Sequence, residues 1–233
     1  MNEKEIEQII KPIDEISEQD PLKAIYLIDD SLKKYPQKEL QTILTSLRNS
    51  LEHQIKRNNL MTKTNLGTLE LINLLKNKKM DYFFMIAYQE LKKRSDLQEN
   101  AYEFQYFFNK EDFDSAGFQT LIYDLLHFAQ IDFDYQMHEH KINPKKLGSF
   151  LENQNIKKME KELLEIFEKD IAKYKIASQV FSAFLFQNWV NILLEKTQNE
   201  YEQIVNVTEV LLGSKDKTTL NENELKLYAV FAK

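Results

Sequence analysis

Cysteine is absent from the 233-residue chain, which excludes disulfides, thiolate metal sites and cysteine nucleophiles. Glycine and proline are limited to four each: Gly67, Gly117, Gly148, Gly213, and Pro12, Pro21, Pro36, Pro144. Sandwiches and barrels draw heavily on both residues for tight turns, so a chain this poor in them has to be built from long helices with short connections. No stretch approaches the roughly 20 consecutive apolar residues of a membrane span. The opening Met1-Asn2-Glu3-Lys4-Glu5 is charged and leads into an amphipathic pattern, unlike a signal peptide. With the lack of cysteine, this makes a reducing, cytoplasmic setting the expectation. The glycines lie too far apart to form a phosphate-binding loop, and neither a Ser-His-Asp order nor a nucleophile elbow is present. A formal net charge of −6 argues against broad binding of a nucleic-acid backbone, whose affinity comes from Lys and Arg displacing counterions.

What is present is apolar residues at helical spacing. Hydrophobic residues make up 42% of the chain and charged residues of both signs 29%, as in a globular protein with a core rich in rings. Ile6, Ile9, Ile10, Ile13 and Ile16 recur at a 3.6-residue period, although Pro12 requires either a kink or a later helix start. Asp20-Pro21 is a helix start signal, and Tyr35-Pro36 a stop. Leu40, Ile43, Leu44, Leu47, Leu51 and Ile55 form the cleanest stripe. The polar, basic stretch 56–67 reads as a connection, giving a helical subdomain at 1–58 and a second at 67–233.

In the second subdomain, a short helix is expected from Thr68 to Lys76 and a helix apolar nearly all round from Met80 to Lys93. Ser95 and Gln98 have capping-box spacing before a helix bearing Leu97, Ala101, Phe104 and Phe108. Asp114 or Ser115 opens the next. From Ile131 to Met137 apolar and polar residues alternate at strand spacing, and with Lys141-Ile142-Asn143 they predict one small β-hairpin at 131–143, turning near Glu139 and His140. Helices follow from an Asn155 cap, from Tyr174 to Leu194, and from Asn199 to Leu212 ahead of Gly213. The residues 222–232 leave a short final helix open.

The run Pro21-Leu22-Lys23-Ala24-Ile25-Tyr26-Leu27-Ile28-Asp29-Asp30-Ser31-Leu32-Lys33-Lys34-Tyr35-Pro36 resembles the second helix of a tetratricopeptide repeat, with Ala24 at the helix crossing and Pro36 closing the unit. The first helix lacks the aromatic and Leu-Gly pair of that repeat, and no second copy follows about 34 residues on. Taken with Leu121-Ile122-Tyr123-Asp124-Leu125-Leu126, the strand at 131–137 and Ile142-Asn143-Pro144, the chain resembles a tetratricopeptide-like (TPR-like) helical family of low-GC bacteria and mollicutes. The resemblance implies helical hairpins stacked as a solenoid-like array with a small β-hairpin insert, and no assigned activity, catalytic residues or cofactor.

Four groups of residues are candidate sites. Tyr102 and Tyr106 offer amphipathic rings for a groove between helices. Asp112 and Asp114, in an acidic middle region with Glu103, Glu111 and Asp124, offer charge to a basic partner as well as a favourable helix start. His138 and His140 flank Glu139 and would share a strand face, where they could hold a metal for hydrolysis, although the sequence places no third ligand. Lys56, Arg57, Lys63, Lys76, Lys78 and Lys79, with Lys92-Lys93-Arg94, form a basic patch that no nucleic-acid recognition pattern accompanies. The expectation is an all-α, non-enzymatic scaffold that binds a protein or peptide through Tyr102, Tyr106, Asp112 and Asp114, with no metal or cofactor and no membrane partner. The alternatives are a metal-dependent hydrolase at His138 and His140 and a weak nucleic-acid binder through the basic patch.

Overall fold

The computed structural model describes residues 3–58, 64–77, 81–109, 115–197 and 201–232; among them the chain is all-α apart from one two-stranded antiparallel sheet. It divides into two compact units, Met1–Glu103 and Phe104–Lys233.

In the first unit α1 (Glu3–Ser17), α2 (Pro21–Lys34) and α3 (Lys38–Asn58) pack on one another, and α4 (Thr68–Leu75) packs on α5 (Tyr82–Leu91). Pro12 lies inside α1, which runs on through it. The carbonyl that Pro12 cannot serve is that of Gln8, an exposed residue that water can reach. Asp20 does more than cap α2: although only 2% exposed, it accepts from Lys23 N at 2.9 Å, Thr64 Oγ1 at 3.0 Å and Asn65 N at 2.7 Å. One buried carboxylate thus starts a helix and ties the described end of the polar stretch back onto it. Residues 64–67 then lead into α4 within this same unit. Arg48 of α3 grips Asp29 of α2 through Nε at 2.7 Å and lies over the Phe83 ring at 5.5 Å.

The segment expected as an α-helix after Ser95 is instead a 12-residue 3-10 helix, Leu97–Phe108. Runs of this length are uncommon, and their side chains eclipse every three residues. The burial follows that period: Ala101, Phe104 and Phe107 are 3%, 0% and 0% exposed, while Gln98 opens the row in solvent. A spacing of three between apolar residues serves either helix type, so the sequence pattern did not separate them.

In the second unit α6 (Ala116–Phe128) leads to the hairpin β1 (Tyr135–Met137) and β2 (His140–Ile142), then α7 (Pro144–Leu147), α8 (Gln154–Phe167), α9 (Ile171–Leu193), α10 (Tyr201–Leu211) and α11 (Glu222–Tyr228). The central helix is α9, packed against α6, α8, α10 and α11. It begins before Tyr174 because Asp170 caps it, accepting from Lys173 N at 3.0 Å. Asn153, not Asn155, caps α8, with Asn155 as the donor at 2.9 Å. Gly213 takes the left-handed conformation expected after α10, with φ of 73°, and the final helix is present, opened by an Asn221–Glu224 capping box.

The hairpin is shorter than the alternation predicts. Its turn is His138-Glu139, so His140 belongs to β2 and the register is Tyr135↔Ile142 and Met137↔His140. The carboxylates of Asp132 and Asp134 turn toward the Asn143 side chain, and residues 131–134 form no ladder.

Candidate functional site

Three elements of the second unit surround a cleft of about 520 Å³: the start of α6 at Ala116 and Gln119, the hairpin tip at 137–140, and α9 at 186–191. The hairpin would be marginal alone. Here the Asn143 amide nitrogen donates to Asp132 at 3.0 Å and to Asp134 at 2.7 Å, while its oxygen accepts from Lys145 N and Lys146 N at 3.1 and 3.2 Å. All the hydrogen-bonding directions of this 5% exposed side chain are used, which clamps both ends of the hairpin to the start of α7. Asn143 first, then the Lys145 and Lys146 ammoniums, hold the Asp132 carboxyl below the usual carboxylate range; Asn143 and Lys146 do the same for Asp134.

Rings form the support behind the cleft. Trp189 is 2% exposed and sits 5.7 Å from Tyr123, 6.3 Å from Phe108 and 6.4 Å from Phe150 between centroids. Tyr135 stacks obliquely on Phe108 at 4.9 Å, and the Tyr123 hydroxyl donates to the Gly148 carbonyl at 2.8 Å. Burial raises both tyrosine hydroxyls above their ordinary range, so they stay neutral. Burial likewise pushes the Asp124 carboxyl up, against Ser149 Oγ and Phe150 N, which donate to it.

The exposed mouth of the cleft is polar and strained at one point. His138 adopts φ of 54°, a left-handed turn conformation uncommon outside glycine, in which asparagine, aspartate and histidine are the most frequent side chains. His140 is held from two sides: Lys196 Nζ lies 3.3 Å from its Nδ1 and Glu139 Oε1 lies 3.6 Å from its Nε2. An ammonium can only donate, so Nδ1 is the acceptor and the proton of the neutral ring sits on Nε2, toward Glu139. Lys196 reaches this point because Glu195, at φ of 53°, turns the chain back at the end of α9, where Lys196 N donates to the Asn191 carbonyl at 2.8 Å. Along the α9 side of the cleft are the side chains of Gln187, Asn191 and the 43% exposed Phe186, together with Asn188, whose amide nitrogen donates to the Phe184 carbonyl at 3.0 Å; Gln119, 4% exposed, borders the cleft from α6.

His138 and His140 therefore border one cleft, yet they do not share a strand face, since His138 lies in the turn. Among the described residues no three His, Cys, Asp or Glu side chains gather as metal ligands. Tyr102 is 61% exposed and Tyr106 half-buried, edge-on to Phe107 at 5.6 Å. In a 3-10 helix, positions four apart are rotated by about 120° rather than nearly aligned. Asp112 and Asp114 lie outside the described residues, as do Lys63, Lys78 and Lys79 of the basic patch. Of the other cations of that patch, Lys56 pairs with Glu52 at 2.6 Å, Lys76 with Glu103 at 2.7 Å, Lys93 with Glu90 and Arg94 with the Leu66 carbonyl at 2.8 Å, Lys92 lies over the Tyr88 ring at 5.7 Å, and Arg57 is exposed. Sequence reasoning missed Gln119, Phe186, Asn188 and Asn191. A signal was there: three amides within five residues, 187, 188 and 191, interrupt an otherwise apolar run at 183–194.

Comparison with family models, curated proteins and solved structures finds no match to this chain.

Proposed function

We propose that the protein is a non-enzymatic, TPR-like interaction module that holds an extended peptide segment of a partner protein in the cleft between the hairpin tip and α9. The observation that carries this reading is the cleft's lining: the Gln187 and Asn191 amides on α9 beside an exposed phenylalanine. An amide side chain offers a donor and an acceptor together, which matches the alternating N–H and C=O of a peptide backbone. Phe186 offers a large apolar contact for one side chain of the guest.

The chemistry around His140 favours binding over metal-assisted hydrolysis. Its Nδ1 faces an ammonium, which repels a metal cation and occupies the lone pair a metal would need. The engaged cations of the basic patch are poorly placed for phosphates, because each would have to leave a carboxylate or carbonyl first.

The test is a random-peptide display selection against the full chain, followed by titration of a recovered peptide with Trp189 emission as the signal. Trp189 is the chain's single tryptophan and lines the cleft, so occupancy should shift or quench its emission. Phe186→Ala and Asn191→Ala are each expected to weaken binding about tenfold. Recovered peptides that bind both variants as tightly as the parent would refute the reading.

A further inference from the structure

The stripe of isoleucines on α1 is wider than the core of the first unit uses. Ile13 is 2% exposed, packed within the three-helix layer, whereas Ile6 and Ile10 remain half-exposed. Across from them on α3 stands Ile43, 37% exposed although it belongs to the same stripe as the fully buried Leu40 and Leu44. These three isoleucines floor a groove of about 570 Å³ between α1 and α3. Its rim is acidic: Glu7, Asp14 and Glu15 on α1 and Glu39 on α3, four carboxylates against the single ammonium of Lys11.

An apolar floor with a rim of one sign selects for a guest with the complementary arrangement. We propose that this groove docks an amphipathic helix of a partner protein whose apolar stripe is bordered by lysine or arginine. Isoleucines at 6 and 10 stand one helical turn apart, and Ile43 faces them from α3, so a guest helix can set residues at i, i+3 or i+4, and i+7 against the floor. Glu7 and Asp14 lie two turns apart on α1, spaced to meet cations at i and i+7 of that guest. The acidic rim speeds encounter and sets which guests are accepted, while the floor supplies the affinity. A second copy of this chain fits less well, because its own corresponding face would bring acid against acid. The site lies wholly in the first unit and does not depend on the cleft beside α9.

The probe is a synthetic helical peptide of about 15 residues with leucine at i, i+3, i+4 and i+7 spacing and lysine elsewhere, labelled for fluorescence anisotropy, with a glutamate-for-lysine counterpart as control. The full-length protein is expected to bind the lysine peptide and not the glutamate one, with affinity falling as salt rises. The double variant Ile10→Ser with Ile43→Ser removes the floor and should weaken binding at least tenfold. The double variant Glu7→Lys with Glu15→Lys alters only exposed positions, so it keeps the fold, and should weaken binding by a similar factor. Equal binding of both peptides, or indifference to both double variants, overturns the proposal. So does binding that survives these variants but is lost in Phe186→Ala, which would place the peptide in the other cleft. Self-association of the protein that is abolished by Ile10→Ser with Ile43→Ser would assign the groove to a second copy and overturn it equally.

Discussion

Gln105 exchanges two hydrogen bonds with the backbone of Gln136: its amide nitrogen donates to the Gln136 carbonyl at 2.8 Å, and its oxygen accepts from Gln136 N at 2.9 Å. Tyr135 and Met137 pair with β2, so the outward N–H and C=O of Gln136 are the open edge of β1. A single side chain closes that edge, as a third strand would.

Replacing Gln105 should expose this edge. Gln105→Ala is expected to cost about 1 kcal/mol in urea denaturation and to speed hydrogen exchange at the Gln136 amide. Gln105→Glu keeps the acceptor and loses the donor, so its cost should be intermediate and its Gln136 amide should stay protected. Unchanged exchange in Gln105→Ala would show that the contact does not persist in solution.

The buried Asp20 joins the cap of α2 to residues 64 and 65. Asp20→Ala strands three donors at once and should destabilise the protein by about 2–3 kcal/mol. Asp20→Asn retains the cap but turns an amide nitrogen toward Thr64 or Asn65, so about half of that loss is expected. Denaturant midpoints of the two variants measure this, and a loss below about 0.5 kcal/mol for the alanine variant would contradict it.

The Asn143 clamp makes an acid-side prediction. Its amide holds the Asp132 and Asp134 carboxyls below the ordinary Asp value of about 3.9. A folded-state value below the unfolded one means stabilisation that is fully present above about 3.9 and lost as pH falls through the folded value. The difference in melting temperature between the parent and Asn143→Ala should therefore be widest near neutrality and narrow on acidification below about 4. A residual gap will remain from the lost bonds to Lys145 N and Lys146 N, which do not titrate. A gap that does not change with pH would remove the carboxylates from the account.

His138 holds a left-handed backbone at the rim of the cleft. Glycine reaches that conformation without the side-chain clash, so His138→Gly should leave the fold equally stable or stabilise it by up to about 1 kcal/mol. If the imidazole is kept for contact with a guest, the same variant should bind a cleft peptide more weakly. Isothermal titration beside thermal denaturation separates the two effects, and a variant that is less stable would show that the turn does not require this conformation.

Much of the architecture was legible because helical periodicity is a local property. The stripes on α1 and α3, the Asp20-Pro21 start, the Gly213 stop and the existence of the hairpin all follow from residues within a few positions of each other. The hairpin turn was legible only to within a residue, expected near Glu139 and His140 and found at His138-Glu139, because Asn143 and Gln105 bind the strands from outside them. The 3-10 helix escaped because Ala101, Phe104 and Phe107 satisfy two helical periods equally well.

By itself, then, the order of residues determined that this protein is helical, cysteine-free in its chemistry, and furnished with one short hairpin, because backbone propensity and apolar spacing act over a turn or two. Only the tertiary structure decided that His138, His140, Gln119 and Asn191 border the same cleft, and that Ile10 and Ile43 share a groove floor. Gln119, the two histidines and Asn191, like Ile10 and Ile43, are separated by tens of positions along the chain. Their meeting depends on how packed helices exclude water, which no local pattern records.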